Sequence, residues 1–417
     1  MLKERFGENN SFMKILFISQ YFYPETFKGN DIVFDFVKRG HEVTVLTGKP
    51  NYPEGKFYKG YGFFKKNKEV IHGAKIIRTP IYPRKNGKGI HLILNYISFV
   101  FFSYFTCVFR IRDKYDLIFV QQLSPVTMAF PGIWLKKKFK IPLYLWVLDL
   151  WPDSILAASN FKNPTIIGLI DNIVKKIYNQ SDVILISSKY FEKSIKEKLI
   201  DKNKEIVYLP NWAEDIFIND DINKSLIIPD LPSGFNIMFA GNVGESQDFE
   251  TIIKVAELTL SDDINWIIVG EGRKLDWIKE QIQIRQLTNV YLVGRHPIET
   301  MPGFFNKADV MLVSLKDEPV FSLTVPAKIQ AYMAASKIIL GSLNGEGNII
   351  VNESGCGFAV NAGNPKLLSE KAVLLKNLPQ NKIIEMQMKS KQYYEHNFSK
   401  KMLFDSLENN FINKLKK

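Results

Sequence analysis

The chain carries two cysteines, Cys107 and Cys356, among its 417 residues. That is too few for a disulfide framework or for a tetrahedral zinc site built on thiolates, and it suits a reducing compartment. It shows no zinc-finger spacing, RNP motif or basic zipper, so its positive charge does not read as a nucleic-acid footprint. No strand runs into a complete GxGxxG or a P-loop, which argues against a dinucleotide-dependent dehydrogenase. An export signal is missing as well. The segment MLKERFGENNSF is polar, and the apolar run behind it is too short for a signal core. A periplasmic binder would need such a signal. Residues 1–12 are therefore expected to be a flexible extension, with folding from Met13 onward in the cytoplasm.

The hydrophobic content of 46% and charged content of 24% are ordinary for a globular protein. The formal charge of +12 and pI near 9.3 are not. A basic excess of this size points to an anionic membrane surface or to polyanionic substrates. The length exceeds one hydrophobic core and predicts two domains.

Lys14–Ser19 and Glu42–Thr47 are apolar without alternation, as strands buried on both faces are. Between them lie a loop and the amphipathic segment Ile32–Arg39, so the unit reads as βαβ. Ligands bind beyond the carboxyl ends of such strands, which puts Glu25, Gly29, Asn30 and Asp31 at an active edge. Gly29 can equally serve only the turn. Apolar runs at Lys75–Thr79, Asp116–Val120, Pro142–Val147 and Asp182–Ile186 continue the series. Asp149 and Asp153 follow the third of these. A carboxylate there is either functional or a helix cap, and Asp149 is taken as functional.

Residues 211–234 are rich in Asp, Asn and Pro and read as a linker, after which the pattern restarts. Strands are expected at Asn236–Ala240, Asn265–Val269, Val290–Val293, Val310–Val313 and Ile338–Leu340. Several end in glycine or small polar residues. The domains are thus expected at 13–210 and 235–385, with charged helices over 386–417 crossing back to the first.

Ile90–Phe109 is twenty residues without Asp, Glu, Lys or Arg. It is long enough to span a bilayer, yet it lies between strands of one sheet. The remaining readings are a buried core helix and a helix dipping one face into a leaflet. Arg84, Lys85, Lys88, Arg110, Arg112 and Lys114 flank it, with Lys136, Lys137, Lys138 and Lys140 beyond. Docking on an anionic leaflet is the expectation, at roughly 1 kcal/mol per basic side chain.

The strand Val310–Val313, the small-residue loop that opens Lys316–Gly347 and the N-terminus of a short helix, Pro326–Ala335, make an anion site. Unpaired amides and the helix dipole both favour phosphate there. Ser322 and Thr324 could bond free amides at that end. Lys328 in the first turn is either a diphosphate contact or a solvated lysine.

Taken together, KRGHEVTVLTGKPNYPEGK, VLDLWPDS, PNWAEDIF, FAGNVGESQ, VPAKIQAYMA and NGEG resemble retaining glycosyltransferases of the GT-B fold, family 4. More narrowly, they resemble L-fucosamine transferases of O-antigen and capsule clusters. The resemblance runs from about Met13 to the C-terminus. It implies an α/β chain of two Rossmann-like, doubly wound domains facing a central cleft. The function implied is hexosyl transfer from a UDP-sugar to a polyprenyl-diphosphate-linked saccharide on the inner face of the cell membrane. Neither a metal nor a cofactor is required, because helix N-termini and basic side chains take the leaving charge.

Carried over by position, Gly241, Asn242, Gly244 and Gln247 would approach the donor. Lys328 and the amides of Leu323 and Thr324 would hold its diphosphate. Gly270, Gly272 and Arg295 would border the base. Gly29 and Asn30 would close over the diphosphate, and Asp149 would face the reacting sugars. The family's two glutamates eight positions apart are missing, since Leu323 and Ala331 stand there and shifting to Glu318 meets Pro326. Gln330 and Glu346 are the substitutes for the donor-ribose contacts. Two other functions share the architecture, a UDP-sugar epimerase and a non-catalytic sugar-nucleotide binder at the membrane surface.

Overall fold

The computed structural model describes residues 12–87, 89–154, 163–218 and 228–416. The expected extension falls outside them except for Phe12, as do Lys88 and residues 219–227 of the expected linker. Contacts divide the chain into a first unit running to Leu209 and rejoined by Phe404–Lys417, and a second unit over Pro210–Leu403.

The first unit holds an eight-stranded sheet. Its strands are β1 (Lys14–Ile18), β2 (Glu42–Thr47), β3 (Lys68–Ile71), β4 (Ala74–Arg78), β5 (Leu117–Gln122), β6 (Leu143–Val147), β7 (Val183–Ile186) and β8 (Glu205–Tyr208). Their order is β3-β4-β2-β1-β5-β6-β7-β8. Every pairing is parallel except β3 with β4. The antiparallel exception is a hairpin closed by His72 and Gly73, both at positive φ, as a two-residue turn of matching twist requires. β3 is short, half-exposed and polar at one end, so no apolar run announces it.

The second unit holds β9 (Phe235–Ala240), β10 (Ile264–Val269), β11 (Val290–Gly294), β12 (Val310–Ser314), β13 (Ile338–Ser342) and β14 (Gly357–Val360). The order is β11-β10-β9-β12-β13-β14, parallel throughout. Alternate residues of these strands feed two cores. Met238, Ile267, Met311 and Ile339 face one side, while Ile237, Ile268, Leu312 and Leu340 face the other. Burial on both faces explains the unbroken apolar runs.

Both sheets follow the doubly wound order, in which the chain runs outward from a central strand and then restarts on its other side. The strand order reverses between β1 and β5 in the first sheet, and between β9 and β12 in the second. Loops leaving neighbouring strands there diverge to opposite faces and open a crevice at the carboxyl edge.

The helix Gln380–Asn397 lies in the second unit, and the return to the first begins at Phe404. What draws it there is apolar burial. Phe411 is buried against Phe36, Phe119 and Tyr144, with ring centroids 5.6, 6.0 and 4.6 Å away. Arg39 fixes the register by bonding both Asp405 and Glu408 at 2.7 Å. Glu408 also meets His41 Nε2 at 2.8 Å.

Candidate active site

In the second unit the loop Gly241–Asp248 leaves β9 at the reversal of strand order. Gly241 has φ +139°, and a Cβ there would stand 2.9 Å from Lys328 Cε. Gly270, at the end of β10, has φ +149°, and its Cβ would fall 1.8 Å from the Gly241 carbonyl oxygen. Only glycine lets the two strand ends meet so closely. Gly272 packs in the same way on the Val243 carbonyl, and Gly244 on the Asn242 side chain. Gly241, Asn242, Gly244, Gln247, Gly270, Gly272 and Lys328 are therefore one cluster.

Lys328 is its charged centre. Its Nζ donates to Gln247 Oε1 at 2.7 Å and stands 3.5 Å from the centroid of the Phe239 ring. Its side chain keeps some solvent contact, but the surrounding packing displaces enough water to hold its pKa well below the ordinary lysine value. Among the described residues no carboxylate pairs with it. The other lysines of the region are neutralised. Lys274 bonds Glu250 at 2.7 Å and Glu245 at 3.3 Å, and Lys316 meets Glu245 at 3.1 Å. Those two ammonium groups hold the Glu245 carboxyl below its usual value.

The helix bearing Lys328 spans Ala327–Ala334, with Pro326 at its cap position and no side-chain cap. The expectation that Ser322 or Thr324 bonds its free amides is not met, since Thr324 Oγ1 donates to the Phe321 carbonyl at 3.2 Å. The amides of Leu323 and Thr324 are corrected as well. A short helix, Pro319–Ser322, precedes them, and both donate to its Phe321 carbonyl instead of standing open. That turn is itself pinned by Gly345, whose φ of +70° brings it against the Ser322 carbonyl. Open amides at this edge belong to the start of the Lys328 helix.

Gln330 is fully buried, and among the described residues neither atom of its amide has a partner. Ser314 and Ser342, register partners at the ends of β12 and β13, likewise have unpartnered hydroxyls. Glu346 is buried in the first turn of the helix Gly345–Ser354. Arg295 is exposed just after β11, whose last residue, Gly294, accepts from the Gly270 amide at 2.8 Å.

The expected residues of the first unit are engaged differently. Gly29 is the second residue of the helix Lys28–Lys38, and a Cβ there would meet Gln121 Oε1 at 2.2 Å and Phe17 Cζ at 2.6 Å. Its service is close helix–sheet packing. Asn30 braces the preceding loop, donating to the Glu25 carbonyl at 2.7 Å and accepting from the Tyr23 amide at 3.2 Å. Glu25 accepts from the amides of Phe22, Asn51 and Tyr52 at 3.2, 2.8 and 2.7 Å. Those donors favour the anion, but burial outweighs them and pushes its pKa up to about 7.

Asp149 accepts from the hydroxyls of Ser124 and Ser154 and from the Trp151 indole at 3.3 Å. Its backbone carbonyl takes the Gln122 amide at 2.9 Å. Both carboxylate oxygens thus accept bonds that tie the β5 and β6 loops together. Phe239, Lys274 and Lys316 were not singled out by pattern. Nothing local in FAGN marks Phe239 as a platform for a lysine 89 positions on.

Residues 234–377 match the family model described as Glycosyl transferases group 1. WcaI of Escherichia coli (strain K12), named for glycosyl transfer in colanic acid biosynthesis, is 25% identical over 71% of this chain and 74% of its own length. WbjE of Pseudomonas aeruginosa, named as a glycosyltransferase, is 28% identical over 58% of this chain and 61% of its own. Among solved structures, Anabaena HepE in complex with UDP and glucose superposes with a TM-score of 0.64 at 14% identity, covering 95% of this chain and 99% of that one. Residues 234–377 thus form a glycosyl transferases group 1 domain, and the chain is a glycosyltransferase with the two α/β domains of the GT-B fold.

Proposed function

We propose that the protein moves a sugar, with retention, from a UDP-sugar to a polyprenyl-diphosphate-linked saccharide during synthesis of an O-antigen or capsule polysaccharide. N-acetyl-L-fucosamine or a related aminodeoxy sugar is the candidate donor group. The observation that carries this reading is Lys328, an ammonium held by the neutral Gln247 side chain at the strand-order reversal, while its neighbours Lys274 and Lys316 are already paired. A diphosphate is the complement such a site lacks. HepE, whose structure holds UDP, supports the choice of nucleotide. WcaI, named for colanic acid biosynthesis, supports the polysaccharide context.

In this reading the bond from the sugar's anomeric carbon to the diphosphate breaks through an oxocarbenium-like state. The acceptor hydroxyl attacks the same face, and its proton passes to the departing diphosphate oxygen. Charge grows on that oxygen, so an ammonium group and the open amides at the start of the Lys328 helix stabilise the transition state more than the ground state. This needs no metal. Asp149 serves as a positioning residue for the loops of the first unit rather than as a proton carrier.

The test is a panel of UDP-sugars incubated with polyprenyl-diphosphate-linked N-acetylglucosamine and read by mass spectrometry. A lipid saccharide one sugar heavier, with UDP released, is the expected product. Isomerisation of a UDP-sugar without acceptor would make the protein an epimerase. Tight UDP-sugar binding with no product on any lipid acceptor would make it a binder.

A further inference from the structure

The helix Gly89–Phe109 is inverted relative to an ordinary surface helix. Its buried residues are Asn95, Phe99, Ser103, Thr106 and Cys107, of which three are plainly polar. Its outward stripe is apolar and follows helical spacing. Ile90, Ile93, Ile97, Phe101, Tyr104 and Val108 are each 44–62% exposed. A surface helix normally turns its polar face to water, and a stripe this long marks an interaction site rather than scattered exposure.

The inward polar groups are spoken for. Asn95 accepts from Gln20 Nε2 at 2.8 Å and donates to the Tyr82 carbonyl at 2.5 Å. Ser98 Oγ accepts from the Tyr82 amide at 2.8 Å, and Thr106 Oγ1 donates to Thr79 Oγ1 at 3.1 Å. These bonds fix the rotation of the helix and hold it on the first unit. The strands before and after it, β4 and β5, lie in one sheet. With 21 residues it is about 31 Å long, enough to cross a bilayer, yet both ends return to the same side. Spanning would tear the sheet apart. A wholly buried role is equally excluded by the exposed stripe.

Charge identifies the occupant. Lys85 precedes the helix, Arg112 and Lys114 follow it, and Lys137 and Lys140 end the neighbouring helix Phe130–Phe139; all five are exposed. That neighbour packs on it through Tyr104 and Trp134, with ring centroids 5.1 Å apart. Lys138 donates to the carbonyls of Cys107 and Ile111, which holds this basic end against the C-terminus of the apolar helix. A second contribution comes from the loop after β2. Phe63 stacks edge-on against Phe102, and the adjoining Phe64 is 79% exposed beside the exposed Lys65 and Lys66. Among the described residues the exposed acids near these flanks are Asp113 and, farther back in the loop after β2, Glu54.

We infer that this face docks on an anionic phospholipid leaflet, with the apolar stripe and Phe64 in the acyl boundary and the lysines at headgroup level. An apolar stripe rimmed by cations fits that surface, whereas a soluble acidic partner would meet the cations and leave the stripe wet. Docking extends the glycosyl-transfer reading, since a lipid-linked acceptor lies at such a surface. It rests on that reading only for its purpose, because the test reads binding and not turnover.

The full chain is floated with vesicles of phosphatidylglycerol and phosphatidylethanolamine, and separately with phosphatidylcholine alone. Binding to the anionic vesicles is expected to exceed binding to the zwitterionic ones about tenfold and to fall with salt. An Ile97→Asp, Phe101→Asp double variant should lose about tenfold or more in vesicle binding while its thermal midpoint stays unchanged. Lys85→Gln with Lys137→Gln should lose only the preference for anionic lipid. Both native cysteines are buried, so an environment-sensitive dye on an Ile97→Cys variant reports this one position, and a blue shift on vesicle binding is expected. Equal flotation of wild type and the aspartate variant would overturn the inference, as would a dye that stays in water. So would self-association through this face, seen as a dimer by sedimentation that the aspartate variant abolishes.

Discussion

The two sheets share a strand order but treat their carboxyl edges differently. In the first unit the acids and Asn30 at the reversal are braced by neighbouring donors, although among the described residues the Gln121 side-chain amide and the side-chain oxygens of Gln20 and Gln122 have no partner. Asn30 holds the loop through the Glu25 carbonyl, the Glu25 carboxylate collects three amides, and Asp149 collects two hydroxyls and an indole. In the second unit the corresponding crevice leaves a lysine facing a neutral amide and an aromatic ring. A desolvated cation without a counter-ion costs stability in the empty protein, so it is a feature expected where an anion arrives. The same architecture therefore gives one edge whose carboxylates are braced and one whose lysine lacks a carboxylate, which is where the proposed diphosphate would bind.

The strongest break of this contrast is Lys328→Met. Transfer should fall about 10²–10³-fold in kcat/KM, as when one preorganised stabiliser of a developing anion is removed, while the thermal midpoint of the empty protein holds or rises. A loss of folding together with activity would instead make Lys328 structural.

Next is the pH dependence of the braced edge. The Glu25 pKa is raised in the folded state to about 7 from an ordinary value of 4.5. Between those values the folded protein binds more protons than the unfolded chain, so this group's contribution falls as pH rises through the window and is fully present below it. The loss amounts to roughly 3 kcal/mol at most. Denaturant unfolding across that window, wild type minus Glu25→Gln, should show the negative slope. A flat difference would mean that the three amide donors cancel the effect of burial.

Asp149→Asn sharpens the comparison with a smaller effect. Hydroxyls can rotate to meet an amide, so stability should drop by only about 1–2 kcal/mol, with a rate change under about tenfold. A collapse of the rate at unchanged stability would restore Asp149 as a group that acts on the sugars.

The mildest effect is on donor binding. Because burial depresses the Lys328 pKa, a bound diphosphate should raise it and favour the ammonium form. UDP binding should take up protons over the pH range in which the lysine titrates, and weaken a few-fold as pH rises through that range. Calorimetry in buffers of different ionisation enthalpy measures this directly, and Lys328→Met should abolish the uptake.

Much of the architecture was legible in the chain. Strands buried on both faces show as unbroken apolar runs, and the helix expected at Ile90–Phe109 forms as Gly89–Phe109. β3, β14 and the turn Pro319–Ser322 went unread because each is four residues long and two are half-exposed. The glycines of the second unit were recognisable as a set facing one edge. Their pairings were not, since Gly270 on Gly241 and Gln247 on Lys328 join residues 29 and 81 positions apart.

The lysine with which the site begins marks the division. Composition and pattern alone determine two βα repeats, a basic chain, one helix too apolar for an ordinary surface and a lysine at a strand–loop–helix junction. These follow from local periodicity, which the backbone imposes residue by residue. Only the tertiary structure decides which lysines find carboxylates and which is left with an amide, why Asp149 binds hydroxyls, and which face of the apolar helix looks outward. Those outcomes depend on strand order, which brings distant side chains within bonding distance and seals or opens them to water. No local window carries that information.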